Sequence, residues 1–402
     1  MLVVKKFGGS SVADRERIMN VARRCIEDYE KGNDVVVVLS AMGKTTDGLL
    51  EKAREITETP SKRELDMLLV TGEQVSVALM AMAFQSLGVQ AVSLNAAQVA
   101  MRTTSAYGQA KLKRIDTERI RNELDARKIV VITGFQGINK YDDMTTLGRG
   151  GSDTTAVALA VALHADFCEI YTDVDGVYTA DPRIVQNAKK LSEVSYDEML
   201  EFASLGAKVL HNRSVEMAKR YGVKLVVLSS LTRAEGTIIK EKTSMEKMLV
   251  SGVAADKNTA RISVLGVKDE PGIAFRLFNL LARYRINVDI IIQSVGRDNR
   301  KDISFTVART DLQETMKIIN DHLEMLTADS VSADDTVAKI SIIGAGMTSN
   351  PGVAAKMFEA LSGANINIKM IATSEIRITV LIDEEDASRA MRVVHDAFSL
   401  AD

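Results

Sequence analysis

Over the first 240 residues, short runs of consecutive β-branched residues alternate with longer stretches whose apolar positions return every three or four residues. The runs Leu2–Phe7, Asp34–Leu39, Ala91–Leu94, Ile129–Thr133, Phe167–Thr172 and 224–228 predict strands. Several are apolar at successive positions, the pattern of a strand covered on both faces. Ile18, Val21, Ala22, Cys25 and Ile26 keep a helical spacing, and Asp14 stands where a cap belongs. Further helices are expected over 63–87, 154–164 and 210–221. Strand–helix alternation of this kind predicts an α/β fold: a mainly parallel central sheet with helices on both faces, collecting ligands at the carboxyl ends of its strands.

The remainder has another rhythm. Pro271-Gly272 and Pro351-Gly352 lie 80 residues apart, and at that offset 9 of the 24 positions in 271–294 are identical in 351–374. Chance gives about one or two, so the segment is duplicated. Each copy reads strand, Pro-Gly turn, helix, strand, strand, helix. The elements are expected at 261–266, 273–283, 287–293, 302–308 and 312–323, then at 338–343, 353–362, 367–372, 376–382 and 385–398. This is the pattern of two small ferredoxin-like α+β modules. With the polar segment 240–247 as linker, the expected domains are 1–245, 246–330 and 331–402.

Composition narrows the function classes. A chain of 402 residues, 46% hydrophobic and 26% charged, is neither disordered nor collagen-like. A net charge of −3, from 51 Lys+Arg against 54 Asp+Glu, advertises no nucleic acid and no anionic membrane. Cys25 and Cys168 sit inside apolar runs and read as core thiols, and the four histidines show no zinc spacing, so no resident metal site is expected. No signal peptide and no apolar stretch near the ~20 residues of a membrane span is read. A cytoplasmic enzyme or binder of small molecules remains.

Four segments offer chemistry. Lys6-Phe7-Gly8-Gly9-Ser10-Ser11 ends the first strand; its glycines let backbone N–H groups approach a phosphate and its lysine adds a point charge, though the same residues also serve a plain tight turn. Gly148-Arg149-Gly150-Gly151-Ser152-Asp153-Thr154 opens a helix, where N–H groups and the dipole favour an anion and Arg149 can grip a carboxylate through two parallel bonds. Thr172-Asp173-Val174-Asp175-Gly176-Val177-Tyr178, followed by Asp181-Pro182-Arg183, leaves a strand end where acidic and hydroxyl groups meet a ribose, a base edge or a hydrated Mg²⁺; alone it is also an ordinary Asp/Gly turn. In Thr71-Gly72-Glu73-Gln74 a glutamate stands ready for an ammonium, or simply begins a surface helix. Gly43-Lys44-Thr45 is not a P-loop, because Val38 occupies the position of its first glycine.

Together with Ser40-Ala41-Met42-Gly43 and the doubled Pro-Gly modules, these segments resemble the aspartate kinase family, of the amino-acid kinase fold with two ACT modules behind it. The resemblance covers essentially the whole chain. It implies transfer of the γ-phosphoryl group of ATP, with Mg²⁺, to the side-chain carboxylate of L-aspartate, giving 4-phospho-L-aspartate. It also implies feedback inhibition by lysine, threonine or both, and a homodimer or larger assembly through the ACT modules.

The resemblance assigns roles by motif. Lys6 bridges donor and acceptor, and Gly8 and Gly9 give backbone donors; Arg149 takes the substrate α-carboxylate and Glu73 its α-ammonium, with Gly150, Gly151, Ser152, Asp153 and Thr45 (or Thr46) alongside. Lys6, Phe7, Gly8, Gly9, Thr172, Asp173, Tyr178, Asp181, Arg183 and Lys208 hold the nucleotide. Asp269, Gly272, Ala274 and Gln293, and Ser349, Asn350, Asn367 and Ile368, hold the effector. Met245 is read as an internal start for a separate regulatory chain. The competing readings are a glutamate, N-acetylglutamate or UMP kinase on the same fold, and a catalytically silent amino-acid sensor.

Overall fold

The computed structural model describes residues 1–205, 209–241, 249–294, 296, 298–347 and 350–401. Lys208, Met245 and Ser349 lie outside the described residues. The chain divides into two compact units. The first comprises Met1–Val177, Lys190–Ser204 and Lys208–Met245; the second comprises Tyr178–Lys189, Leu205–Ala207 and Glu246–Asp402.

Eight strands build the main sheet of the first unit: β1 (Leu2–Phe7), β2 (Asp34–Leu39), β3 (Ala91–Leu94), β6 (Ile129–Thr133), β9 (Phe167–Thr172), β10 (Glu193–Ser195), β11 (Leu225–Ser229) and β12 (Thr237–Lys240), in the order β10-β12-β11-β9-β1-β2-β6-β3. All neighbours run parallel except β11 and β12. The consecutive valines of β2 are buried because both faces are covered. Helices α1 (Arg15–Glu30) and α4 (Thr71–Ser86) close one face over Phe7, Val35, Val37 and Leu39. Helix α6 (Gly151–Leu163) packs on β1, β2 and β9, and α8 (Asn212–Tyr221) packs on α6. Asp14 caps α1 as its position suggested, accepting from Arg17 N at 2.9 Å. A second sheet of very short strands, β4 (Arg102–Thr103), β5 (Leu112–Arg114), β7 (Gln136–Ile138) and β8 (Met144–Thr146), escaped the hydrophobic pattern, as did helices α2 (Thr45–Ile56), α5 (Glu118–Asp125) and α7 (Tyr196–Ser204).

Helix α3 (Lys62–Leu69) runs almost directly into α4. Together Lys62–Ser86 is long and apolar enough, by length and composition, to cross a membrane, which corrects the reading that no segment comes near that length. One side of it is core: Val77, Met80, Ala81 and Phe84 are buried against the sheet.

The second unit contains two four-stranded antiparallel sheets. One orders β15 (Ile291–Gln293), β16 (Arg300–Val307), β14 (Ala260–Lys268) and β17 (Ser330–Asp334), with helices α9 (Ile273–Arg283), α10 (Leu312–Asn320) and α11 (Leu323–Leu326). The other orders β13 (Gly252–Asp256), β18 (Val337–Ile343), β20 (Arg377–Asp383) and β19 (Met370–Thr373), with helices α12 (Val353–Gly363) and α13 (Ala387–Ala397). The duplication extends to the backbone: Gly272 and Gly352, which begin α9 and α12, adopt φ of 93° and 96°.

The linear boundaries 246–330 and 331–402 do not describe this arrangement. Strand β13 pairs with β18 in the second module, and β17 pairs with β14 in the first. Module one is therefore inserted into module two. The alanines of β13 and the serines of β17 are poor strand formers, so neither strand stood out in the pattern. The excursion Tyr178–Lys189 also belongs here. Ala180 and Val185 are buried in the second module's core, and Thr179 O accepts from Val253 N at 2.7 Å.

Candidate active site

Loops leaving the carboxyl ends of β11, β9, β1, β2 and β6 form one rim. Main-chain bonds stitch them together: Ser40 N donates to Phe7 O at 3.2 Å, Gly134 N to Leu39 O at 2.9 Å, and Ser230 N to Thr172 O at 2.9 Å. This is the edge at which open α/β sheets bind ligands.

Alternation along β1 sends its two lysines to opposite faces. Lys6 points toward α6, where its Nζ lies 2.6 Å from Asp153 Oδ1, each side chain 12% exposed. Lys5 is fully buried under the other face with Asp28 at 2.6 Å, Glu169 and Tyr171. Burial opposes its charge, but Glu169, Tyr171 and Asp28 outweigh that and hold the ammonium above its ordinary value. Phe7 shares the face of Lys5 and stacks on Tyr171 with centroids 4.3 Å apart. Its side chain is core, so only its main chain is left to face the rim. Gly8 and Gly9 turn the chain past the strand end. A Cβ on Gly9 would stand 2.6 Å from Ala41 O, so the two loops meet there only without a side chain.

Glu73 sits in the first turn of α4, 3% exposed, its Oε1 accepting from Ala41 N at 3.1 Å. Burial outweighs the main-chain donors and pushes its carboxyl up to about 7. Gly72 lets α4 approach the same loop, a Cβ there meeting Ala41 Cβ at 2.8 Å. Thr45 begins α2, its hydroxyl donating to Met42 O at 2.6 Å, and its Cγ2 faces Gly72.

The Gly148–Asp153 loop closes the other side. Arg149 is exposed and enters no ion pair among the described residues. Gly150 has φ +69°, and a Cβ there would stand 2.3 Å from His211 Cγ, so the loop rests on that ring. Gly151 opens α6, and Ser152 Oγ lies 3.0 Å from Ser40 Oγ. Lys6, Gly8, Gly9, Thr45, Glu73, Gly150, Gly151, Ser152 and Asp153 thus belong to one rim.

Thr172 and Asp173 leave β9 on that rim. Thr172 Oγ1 is engaged in a local turn with Val174 at 3.0 Å, and its carbonyl accepts from Ser230 Oγ at 3.2 Å. Tyr178, Asp181 and Arg183 fall within the Tyr178–Lys189 excursion of the second unit. Arg183 pairs with Asp181 at 2.7 Å and holds that carboxyl below its usual range. In the modules, Asp269 and Gly272 lie in the turn between β14 and α9 and Ala274 in the first turn of α9, with Asp269 2.8 Å from Lys301. Gln293 ends the edge strand β15. Asn350 Nδ2 donates to Gly346 O at 2.8 Å, Asn367 is exposed, and Ile368 packs on the second module's core.

Sequence reasoning passed over Ser230, Gly134, Gln136 and His211, and it quoted Ser11 in the first motif without giving it a partner. Each is a single small or polar residue whose partner is remote in the chain, as in the 2.8 Å bond from Ser11 Oγ to Ser230 Oγ.

The amino acid kinase family model matches residues 1–229, and ACT domain models match residues 260–324 and 340–398. The chain is similar to the aspartokinase of Bacillus sp. (strain MGA3), with 50% identity over 401 residues, covering 100% of this chain and 98% of that one. It is likewise 50% identical over 405 residues to the aspartokinase of Helicobacter pylori strain J99, covering 100% of both. Among solved structures it resembles E. coli aspartokinase III in complex with aspartate and ADP (R-state), at 28% identity and TM-score 0.84 over 99% of each chain. The lysine and aspartate complex (T-state) of the same enzyme matches at TM-score 0.78, 28% identity and the same coverage.

Proposed function

Because the chain belongs to the amino acid kinase family, as an aspartokinase carrying two ACT domains, we propose that its first unit converts L-aspartate to 4-phospho-L-aspartate and that its second unit shuts this reaction down when an end-product amino acid binds. The enzyme is an ATP-dependent kinase acting on aspartate. The observation that carries the finer reading is the Lys6–Asp153 pair, 2.6 Å apart at the end of the central strand on the same rim as buried Glu73 and the Arg149 loop.

The acceptor carboxylate, with a reference pKa of about 3.9, is already ionised at neutral pH, so the site needs no general base. Its task is to bring two anions together in line. Asp153 orients the Lys6 ammonium, which offsets negative charge as the phosphoryl group passes. The N–H groups after β1 and at the start of α6 add fixed partial positive charge. Arg149 takes the α-carboxylate and Glu73 the α-ammonium, leaving the side-chain carboxylate free to reach the γ-phosphorus. The start of α2, with Thr45, borders the same pocket.

Mg²⁺ bound to ATP neutralises the phosphate oxygens, and it asks for only one or two protein carboxylates because phosphates and water fill the other positions. On the rim, Asp153 and Asp173 would each offer one carboxylate to meet that demand. Buried free Cys25 and Cys168 accord with a cytoplasmic enzyme.

For regulation, the two Pro-Gly turns are the effector candidates, with lysine and threonine as ligands. Assembly through the modules is supported by the exposed isoleucines Ile291 and Ile371, at repeat-equivalent positions on the edge strands β15 and β19. A coupled ADP-release assay tests the whole reading. ADP release should require L-aspartate, fail with L-glutamate, N-acetylglutamate and UMP, and fall on addition of lysine, threonine or the two together. Release indifferent to the acceptor, or none with any acceptor, would overturn it.

A further inference from the structure

We propose that Asp66 is a positioning residue that fixes the two grips on the amino-acid substrate, Glu73 and the Arg149 loop, at a set distance from one another. This rests on the aspartate kinase reading above and deepens it.

Asp66 lies on α3, outside the candidate site, and is 1% exposed. Its carboxylate receives donors from two other chain segments. Oδ1 accepts from Thr146 Oγ1 at 2.7 Å and Gly108 N at 3.1 Å; Oδ2 accepts from Thr146 N at 2.9 Å and Gly108 N at 2.9 Å. No cation pairs with it among the described residues. A buried carboxylate without a counter-ion is costly to keep, and neutral donors alone hold this one.

Both segments that it grips lead to the arginine. Thr146 ends β8, and Leu147 and Gly148 follow directly. Gly108 backs the same loop: its carbonyl oxygen lies 3.0 Å from where a Cβ of Gly148 would stand, at a φ of +78°. The helix bearing Asp66 leads to the glutamate. Val70 N donates to Asp66 O at 3.1 Å, and α4 begins one residue later with Glu73 in its first turn.

A second tie closes the ring. Gln136, the register partner of Thr146 across β7 and β8, donates Nε2 to Val70 O at 2.6 Å. The circuit therefore runs from Asp66 to Thr146, across the ladder to Gln136, and back through Val70 to Asp66. Glu73 hangs on one side of this closed loop and Arg149 on the other. If Asp66 is lost, Gln136 and the exposed Arg63–Asp143 pair, 2.7 Å apart at the start of β8, are left to hold the span, and the start of α4 can shift against the arginine loop.

The substrate's ammonium and α-carboxylate are attached to the same carbon, so their separation is fixed. A change in the span weakens aspartate far more than nucleotide. Asp66→Asn turns an N–H₂ group toward N–H donors while keeping the shape. It should raise the KM for aspartate about tenfold or more, with the ATP KM and kcat within about threefold. Thr146→Val removes one donor, leaves Thr146 N in place, and should move the aspartate KM the same way by a smaller factor. Asp66→Glu, which keeps the charge, should fall between wild type and Asp66→Asn.

Initial rates at varied aspartate and at varied ATP, with the folded fraction measured by thermal unfolding, decide the matter. Where Asp66→Asn fails to fold, Thr146→Val carries the test. An aspartate KM unchanged in the folded variants, with kcat falling only in step with the folded fraction, overturns the inference alone. Wild-type turnover that ignores aspartate overturns the functional reading and the inference with it.

Discussion

Lys5 and Lys6 differ by one position and by a whole environment: the first is locked under helix α1 by Asp28 and Glu169, the second faces Asp153 at the rim. Removing the Lys6 ammonium takes away charge aimed at the moving phosphoryl group. Lys6→Ala should therefore lower kcat by on the order of 10²-fold or more with little change in the ATP KM, read by coupled ADP release. Glu73 carries a pH signature. Its carboxyl is pushed by burial from 4.5 up to about 7, so in the empty enzyme it is largely protonated at pH 6 and ionised at pH 8. An ammonium binds the ionised form. The aspartate KM should accordingly rise as pH falls from 8 to 6, approaching about tenfold per pH unit below the shifted value, and Glu73→Gln should flatten the slope. The same displacement makes this group's contribution to stability fall as pH rises from 4.5 toward 7, because the folded protein favours the neutral acid. Initial rates at pH 6, 7 and 8 would expose either failure. At this scale the glycine-bearing motifs were legible, since turns and backbone approach have local signatures. Asp66, Gln136 and His211 were not, because each acquires meaning only from a partner tens of residues away.

Elements were legible in proportion to how continuous their burial is. The run Val35–Leu39 announces a central parallel strand, and Ile18 to Ile26 announces a helix with one face on the core. The strands of the small sheet are two or three residues long and held by contacts the pattern does not contain: a Cβ on Gly137 would stand 2.2 Å from Thr103 Cγ2. Helix α4 reads as uniformly apolar because one side lies on the sheet while Val75, Leu79 and Met82 remain exposed. Where elements meet, glycine sets the spacing. Gly9→Ala would drive a Cβ against the Ala41 carbonyl, a backbone atom with no rotamer to yield. The loops after β1 and β2 must then part, at a cost of about 1–3 kcal/mol. A lowered denaturation midpoint together with reduced kcat is expected, and a variant with wild-type values in both would show that the loops accommodate the methyl group.

For the molecule as a whole, the sequence revealed the repeat but not how its copies interlock. Strand β13, which precedes module one, completes the sheet of module two, and every residue of β18 beside it is buried. Residues 258–335 hold all four strands of the first sheet, whereas residues 336–402 lack one strand of the second. Denaturant titration should show cooperative unfolding for the fragment 258–335 and none for 336–402; a cooperative transition in the latter would mean that β13 is dispensable. The excursion Tyr178–Lys189 is likewise remote in sequence from the core that it completes: Ala180 and Val185 are buried in module two, while the residues on either side belong to the first unit. The backbone consequently passes between the units five times, after Val177, Lys189, Ser204, Ala207 and Met245. Severing the chain at position 245 would cut one tether and leave the others. A regulatory chain translated from Met245 would inherit a groove shaped for two side chains it does not encode.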